Sequence, residues 1–148
     1  MKSLLIHAGL GALTIGVFFW ANAYLYRRDW KGSETTLLER IYYGVAIVSV
    51  LAGWWFNVHY VFAHPAEASW VHFTGMLFAN PAAASIGQDM IFANVVLFPL
   101  WTILDGPRRG LRHTWLYFAM SLFTSFSCAM GLYLAAQERQ VRWQARPQ

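Results

Sequence analysis

Four apolar runs, each long enough to cross the hydrocarbon core of a bilayer as a helix, follow one another along this chain. They occupy residues 4–26, 37–63, 82–104 and 115–136. In lipid every backbone N–H and C=O needs a partner inside the protein, so only helices or a closed barrel can span. The runs are continuous rather than alternating, which selects helices. With their connections they take up all 148 residues, so the chain reads as one membrane domain, 1–148. The expected fold is an all-α polytopic membrane protein with four transmembrane helices and a short interfacial helix between the second and third.

Punctuation between the runs supports this division. Arg27-Arg28-Asp29-Trp30-Lys31-Gly32 closes the first with charge, an interfacial Trp and a glycine. Thr36-Leu37-Leu38-Glu39 fits a capping box at the start of the second. The segment 64–80 is too polar to span, yet it carries Trp70, Phe73, Met76, Leu77 and Phe78, which suits a helix lying in the interface. Asn80-Pro81 offers an N-cap and a proline for the first helical position. Pro99 predicts a kink that frees the Val95 carbonyl. Asp105-Gly106-Pro107 reads as the stop of the third helix. Met1-Lys2-Ser3 ahead of an apolar stretch, with Ala21-Asn22-Ala23 behind it, imitates a cleaved signal peptide. The run is long and bulky for that, and it is expected to stay as the first helix.

Charge narrows both location and partners. The formal net charge of +4 lies in short segments that flank apolar runs, as in membrane loops, and no nucleic-acid partner is expected. With four spans, one side holds Arg27, Arg28, Lys31, Arg40, Arg108, Arg109 and Arg112. The other holds Lys2, Arg139, Arg142 and Arg146. The positive-inside rule then puts both termini on the non-cytoplasmic side, though the basic tail opposes it. The single Cys128 lies inside the fourth run, where it reads as a packing residue.

Ionisable and amide groups inside a span are the candidate site residues. His7, His59 and Asp89 fall at similar depth in the leaflet that also meets the 64–80 loop. His7, Gly11, Thr14, Phe18 and Asn22 share one helical face, which is expected to turn inward. Asn57 and His59 lie on nearly opposite faces, so one ligand cannot use both. Asp89, if buried, would hold a proton it could donate. Ser121, Thr124, Ser125, Cys128 and Gly131 make a small-residue face suited to close helix packing, within the chain or against a partner subunit. No zinc spacing, phosphate loop or complete catalytic motif occurs, so no metal is expected apart from the iron of a haem, for which His7 and His59 are the candidate ligands.

From about Gly53 onward the chain resembles a family of small bacterial membrane proteins known as domain of unknown function 2834. The residues that carry the resemblance are Trp54-Trp55-Phe56-Asn57, Phe78 to Ser85 with Asp89, Trp101, Asp105-Gly106-Pro107-Arg108-Arg109-Gly110 with Trp115, and Gly131 to Arg139. The chain departs from the family pattern at Gly131, where a proline is usual, and at Asp105, where Glu is commoner. The resemblance implies a bacterial inner-membrane location and adds weight to Asn57, Asn80, Asp89 and Arg109. It implies no activity.

Three functional expectations follow. The first is a non-catalytic membrane protein: an accessory subunit of a membrane complex, or a binder of lipid or of an isoprenoid such as a carotenoid pigment, using His7, Asn57, His59, Asn80 and Asp89. The second is an enzyme acting on an isoprenoid or lipid, with Asp89 as proton donor. The third is electron transfer through haem.

Overall fold

The computed structural model describes residues 2–146. Every regular element among them is helical. Helix α1 (Lys2–Ala21) ends in a 3-10 turn, Ala23–Tyr26. Helix α2 (Leu37–Ala63) follows, then the short α3 (Trp70–Met76). The third long element is α4 (Pro81–Ile91), a π-turn at Phe92–Leu97, and α5 (Phe98–Arg108). Two further helices close the chain, α6 (Trp115–Phe123) and α7 (Phe126–Gln144).

Three of these helices are long and apolar enough to cross a membrane: Leu4–Ala21, Leu37–Ala63 and Pro81–Arg108. Here the chain departs from the expected four. The run 115–136 is not one helix, because Thr124 and Ser125 leave the helical conformation and the chain doubles back. Tyr117 of α6 packs edge-on against Tyr133 of α7 with ring centroids 5.0 Å apart. At the tip the Ser125 hydroxyl donates to Ser49 Oγ at 3.1 Å, near the middle of α2. From there α7 runs back along α2 until Arg139 meets Glu39 at 2.9 Å, near the start of α2. The element is therefore a helical hairpin that enters and leaves at one end of the bundle. Its first arm, nine residues long, reaches about 13 Å, roughly half a hydrocarbon core.

A break in the backbone at that depth survives only if its polar groups find partners. They do. Thr124 Oγ1 donates to the Met120 carbonyl at 2.7 Å, and Ser125 caps α7 by accepting from Cys128 N–H at 3.0 Å. Glycines on α1 and on α7 itself make the room. A Cβ on Gly11 would lie 2.6 Å from the Phe123 carbonyl oxygen, and one on Gly131 would lie 2.7 Å from that of Tyr42. The small-residue face is thus taken up inside the chain. The stripe on α1 turns inward as expected, with Thr14, Phe18 and Asn22 buried.

Local details follow the sequence with three exceptions. Thr36, Ser69 and Asn80 cap α2, α3 and α4. Glu39, however, does not complete the capping box. It is wholly buried and pairs with Arg139 and Arg142 instead, since two guanidiniums in a water-poor site outbid one backbone N–H. Asp105-Gly106-Pro107 does not stop the third long helix, which runs on to Arg108. The reversal comes at Gly110, whose φ of +81° suits only glycine. Pro99 is accommodated by the π-turn just before it, where Phe98 N–H reaches back to Ala93.

Candidate functional site in the half-empty leaflet

Because the hairpin stops halfway, only three long helices fill the half of the bundle beyond its tip. They leave a cavity of about 490 Å³. Helix α1 contributes His7 to its wall, α2 contributes Asn57 and Tyr60, and the π-turn contributes Asn94. Ser121 and Ser125 of the hairpin form the floor. Trp70 and Phe73 of α3 lie over it as a partial roof. Among the described residues no Asp, Glu, Lys or Arg lines it.

The polar groups are held in place by their elements. His7 lies between two aromatic rings, 5.9 Å from Trp70 and 5.5 Å from Phe123. Tyr60 is fixed by a hydrogen bond at 2.8 Å to His72 Nδ1. Asn94 differs from these. Its side-chain oxygen is buried and accepts no hydrogen bond, a state that costs about 1–3 kcal/mol when nothing fills the vacancy.

Two of the five residues singled out by sequence, His7 and Asn57, come together here. The other three stand elsewhere. His59 is exposed, with Nδ1 2.8 Å from the Trp55 carbonyl, so the cavity does not pair it with His7. Asn80 accepts from Ala83 N–H at 2.9 Å as a helix cap. Asp89 is exposed and takes a 2.7 Å hydrogen bond from the Gln88 amide. Asn94 was missed, although an amide inside an otherwise apolar run is the same signal that marked Asn57.

A second recess, of about 580 Å³, lies towards the opposite end between α1 and α2, with Cys128 and Leu132 of α7 as its floor. Its walls are apolar apart from Thr35, Arg139 and the Tyr26–Tyr43 pair, whose hydroxyls are 3.1 Å apart. Beside it the tail is pinned down. Arg139 donates to the carbonyls of Leu25 and Ser33 and to Thr35 Oγ1. Arg142 pairs with Glu39 and reaches the carbonyls of Gly32 and Glu34, and its burial lowers its pKa. Arg109 lies 2.5 Å from Asp105, whose carboxylate raises the guanidinium pKa. These residues bind the ends of the helices to one another, and of them only Arg139 also borders the recess.

A family model described as "Protein of unknown function DUF2834" matches residues 41–139. This stretch includes all but the first turn of α2, the cavity roof, the π-turn and nearly all of the hairpin. No curated protein and no solved structure matches the chain.

Proposed function

We propose that this chain, which belongs to the DUF2834 family, holds one neutral, oxygen-bearing lipid, an isoprenoid or similar molecule, in the cavity beyond the hairpin. The observation that carries this reading is a lining of amides, hydroxyls and an imidazole, with no charged side chain among the described residues. Such a lining suits a hydroxyl or carbonyl on an apolar body and disfavours a charged headgroup, which would be buried unpaired. The cavity's volume lies within the range of ordinary small-molecule sites. The buried Asn94 oxygen accepts no hydrogen bond from the described protein groups, and a ligand hydroxyl would donate one.

The test is mass spectrometry of lipid extracts from protein gently solubilised out of its own host membranes. The expected result is one neutral oxygenated lipid near equimolar with the chain, lost in Asn94→Leu and in Asn57→Leu. Bulk phospholipid in membrane proportions, unchanged by either substitution, overturns the reading.

We also infer an orientation in the plasma membrane. Once the hairpin returns the tail to the end that holds residues 27–36, ten of the eleven basic residues stand at that end. They are Arg27, Arg28, Lys31, Arg40, Arg108, Arg109, Arg112, Arg139, Arg142 and Arg146, against Lys2 alone at the other. The opposition from the tail disappears. The positive-inside rule then assigns that end to the cytoplasm and the cavity to the outer leaflet.

A further inference from the structure

We propose that the loop joining α2 to α3 binds a divalent transition metal of the zinc class through His64, Glu67 and His72. One ligand atom from each residue lies within 4.8 Å of the other two. His72 Nε2 and Glu67 Oε2 are already 3.4 Å apart, the spacing that two ligands take in a tetrahedral site with bonds of about 2.0–2.1 Å. The third ligand closes the set by a movement of roughly 1 Å, within reach of side-chain rotation on a surface loop.

Three independent features favour a metal over a chance cluster. The backbone brings the ligands together by a tight turn rather than by chance packing. His64 ends α2, and its carbonyl accepts from Glu67 N–H at 3.2 Å and Ala68 N–H at 2.8 Å. His72 sits in the first turn of α3, where its own N–H is held by the Ser69 cap at 3.2 Å. Next, the outer partner of a metal-binding histidine is present. Tyr60 Oη lies 2.8 Å from His72 Nδ1 and donates its own proton towards the Ser69 carbonyl; in the tautomer where Nδ1–H donates to Oη, Nε2, the nitrogen facing Glu67, keeps its lone pair for a metal. Finally, among the described residues no lysine or arginine competes for the carboxylate. The sequence has no Lys or Arg between Ile41 and Pro107, and among the described residues Glu67 pairs only with His72. Two imidazoles and a carboxylate are a donor set suited to zinc and its neighbours, and unlike the oxygen-rich sites of calcium or magnesium.

The site borders the cavity without belonging to it. Tyr60 serves both, and Ser69 and Trp70 connect the ligand loop to the roof. Metal binding would therefore tie the end of α2 to α3 and hold the roof in place. The proposal does not depend on the lipid reading, because its ligands lie outside the cavity lining.

Zinc titrated calorimetrically into chelator-stripped, full-length protein carrying a tag without histidines is the direct test. One ion per chain is expected. His64→Ala and His72→Ala should each weaken binding by more than about 100-fold, and Tyr60→Phe by about 10-fold. X-ray absorption on the unsubstituted zinc-loaded protein should show two imidazoles and oxygen donors, a readout independent of whether the variants fold. No saturable zinc binding, binding that survives the double substitution, or a sulfur ligand in the absorption spectrum overturns the proposal. Loss of the lipid with zinc binding intact would sink only the lipid reading, and the reverse result only this one.

Discussion

Asn94 stands in the middle of an apolar span, and in the proposed reading a lipid hydroxyl would donate to its side-chain oxygen. Its oxygen is buried and unbonded in the protein alone. Leucine at this position removes an unsatisfied acceptor worth about 1–3 kcal/mol and keeps most of the volume. Lipid-free Asn94→Leu protein should therefore unfold at a higher temperature than the unsubstituted chain. The same substitution removes the ligand's hydrogen-bond partner, so bound lipid should fall. Thermal unfolding in detergent before and after lipid extraction measures both effects. A substitution that destabilises the lipid-free protein would mean that the amide already has a partner, and the residue would lose its place in the site.

At the scale of elements, the hairpin depends on α1 letting the Phe123 carbonyl approach. Gly11 permits this, since its Cβ would come within 2.6 Å of that oxygen, whereas Cβ atoms on Gly9 and Gly16 of the same helix would meet nothing within 4 Å. Gly11→Val should cost about 1–3 kcal/mol through overpacking, while Gly9→Val and Gly16→Val should leave the unfolding midpoint almost unchanged. Equal effects at all three would show that the tip does not rest on α1. The helices and caps were readable because their signals are local: apolar length, Thr36, Asn80-Pro81, and the 64–80 segment with its aromatics. The hairpin was not. Thr124-Ser125 carries neither glycine nor proline and is flanked by Phe123 and Phe126, so its composition is that of an unbroken membrane helix. What turns the chain there lies far away in sequence, at Gly11, at Ser49 and at Glu39. The candidate site inherits the same blindness. His7 and Asn57 could be singled out one at a time, but the space between them exists only because the fourth run stops short.

For the whole molecule, three spans and a hairpin would make the number of crossings odd and, in the proposed topology, set Leu4 and Ala145 on opposite sides. A continuous fourth span would carry Arg139 to the end that bears α3. The observed Arg139 instead shares Glu39 with Arg142, and Gln144 donates to the Arg109 carbonyl at 2.8 Å. Ten basic residues gathered at one end give the strong asymmetry that membrane insertion reads. Single cysteines placed at exposed positions separate the alternatives. The one native thiol, Cys128, is buried and can be replaced by alanine for the background. Glu34→Cys, Ala66→Cys and Ala145→Cys then mark the first loop, the α2–α3 loop and the tail, all exposed. In intact cells an impermeant maleimide should label only Ala66→Cys, and the other two should react after permeabilisation. If position 145 reacts together with position 66, the fourth run crosses and the hairpin is refuted. If positions 34 and 145 react in intact cells and 66 does not, the hairpin stands with the orientation reversed. In that case the cavity and the His64–Glu67–His72 loop would face the cytoplasm.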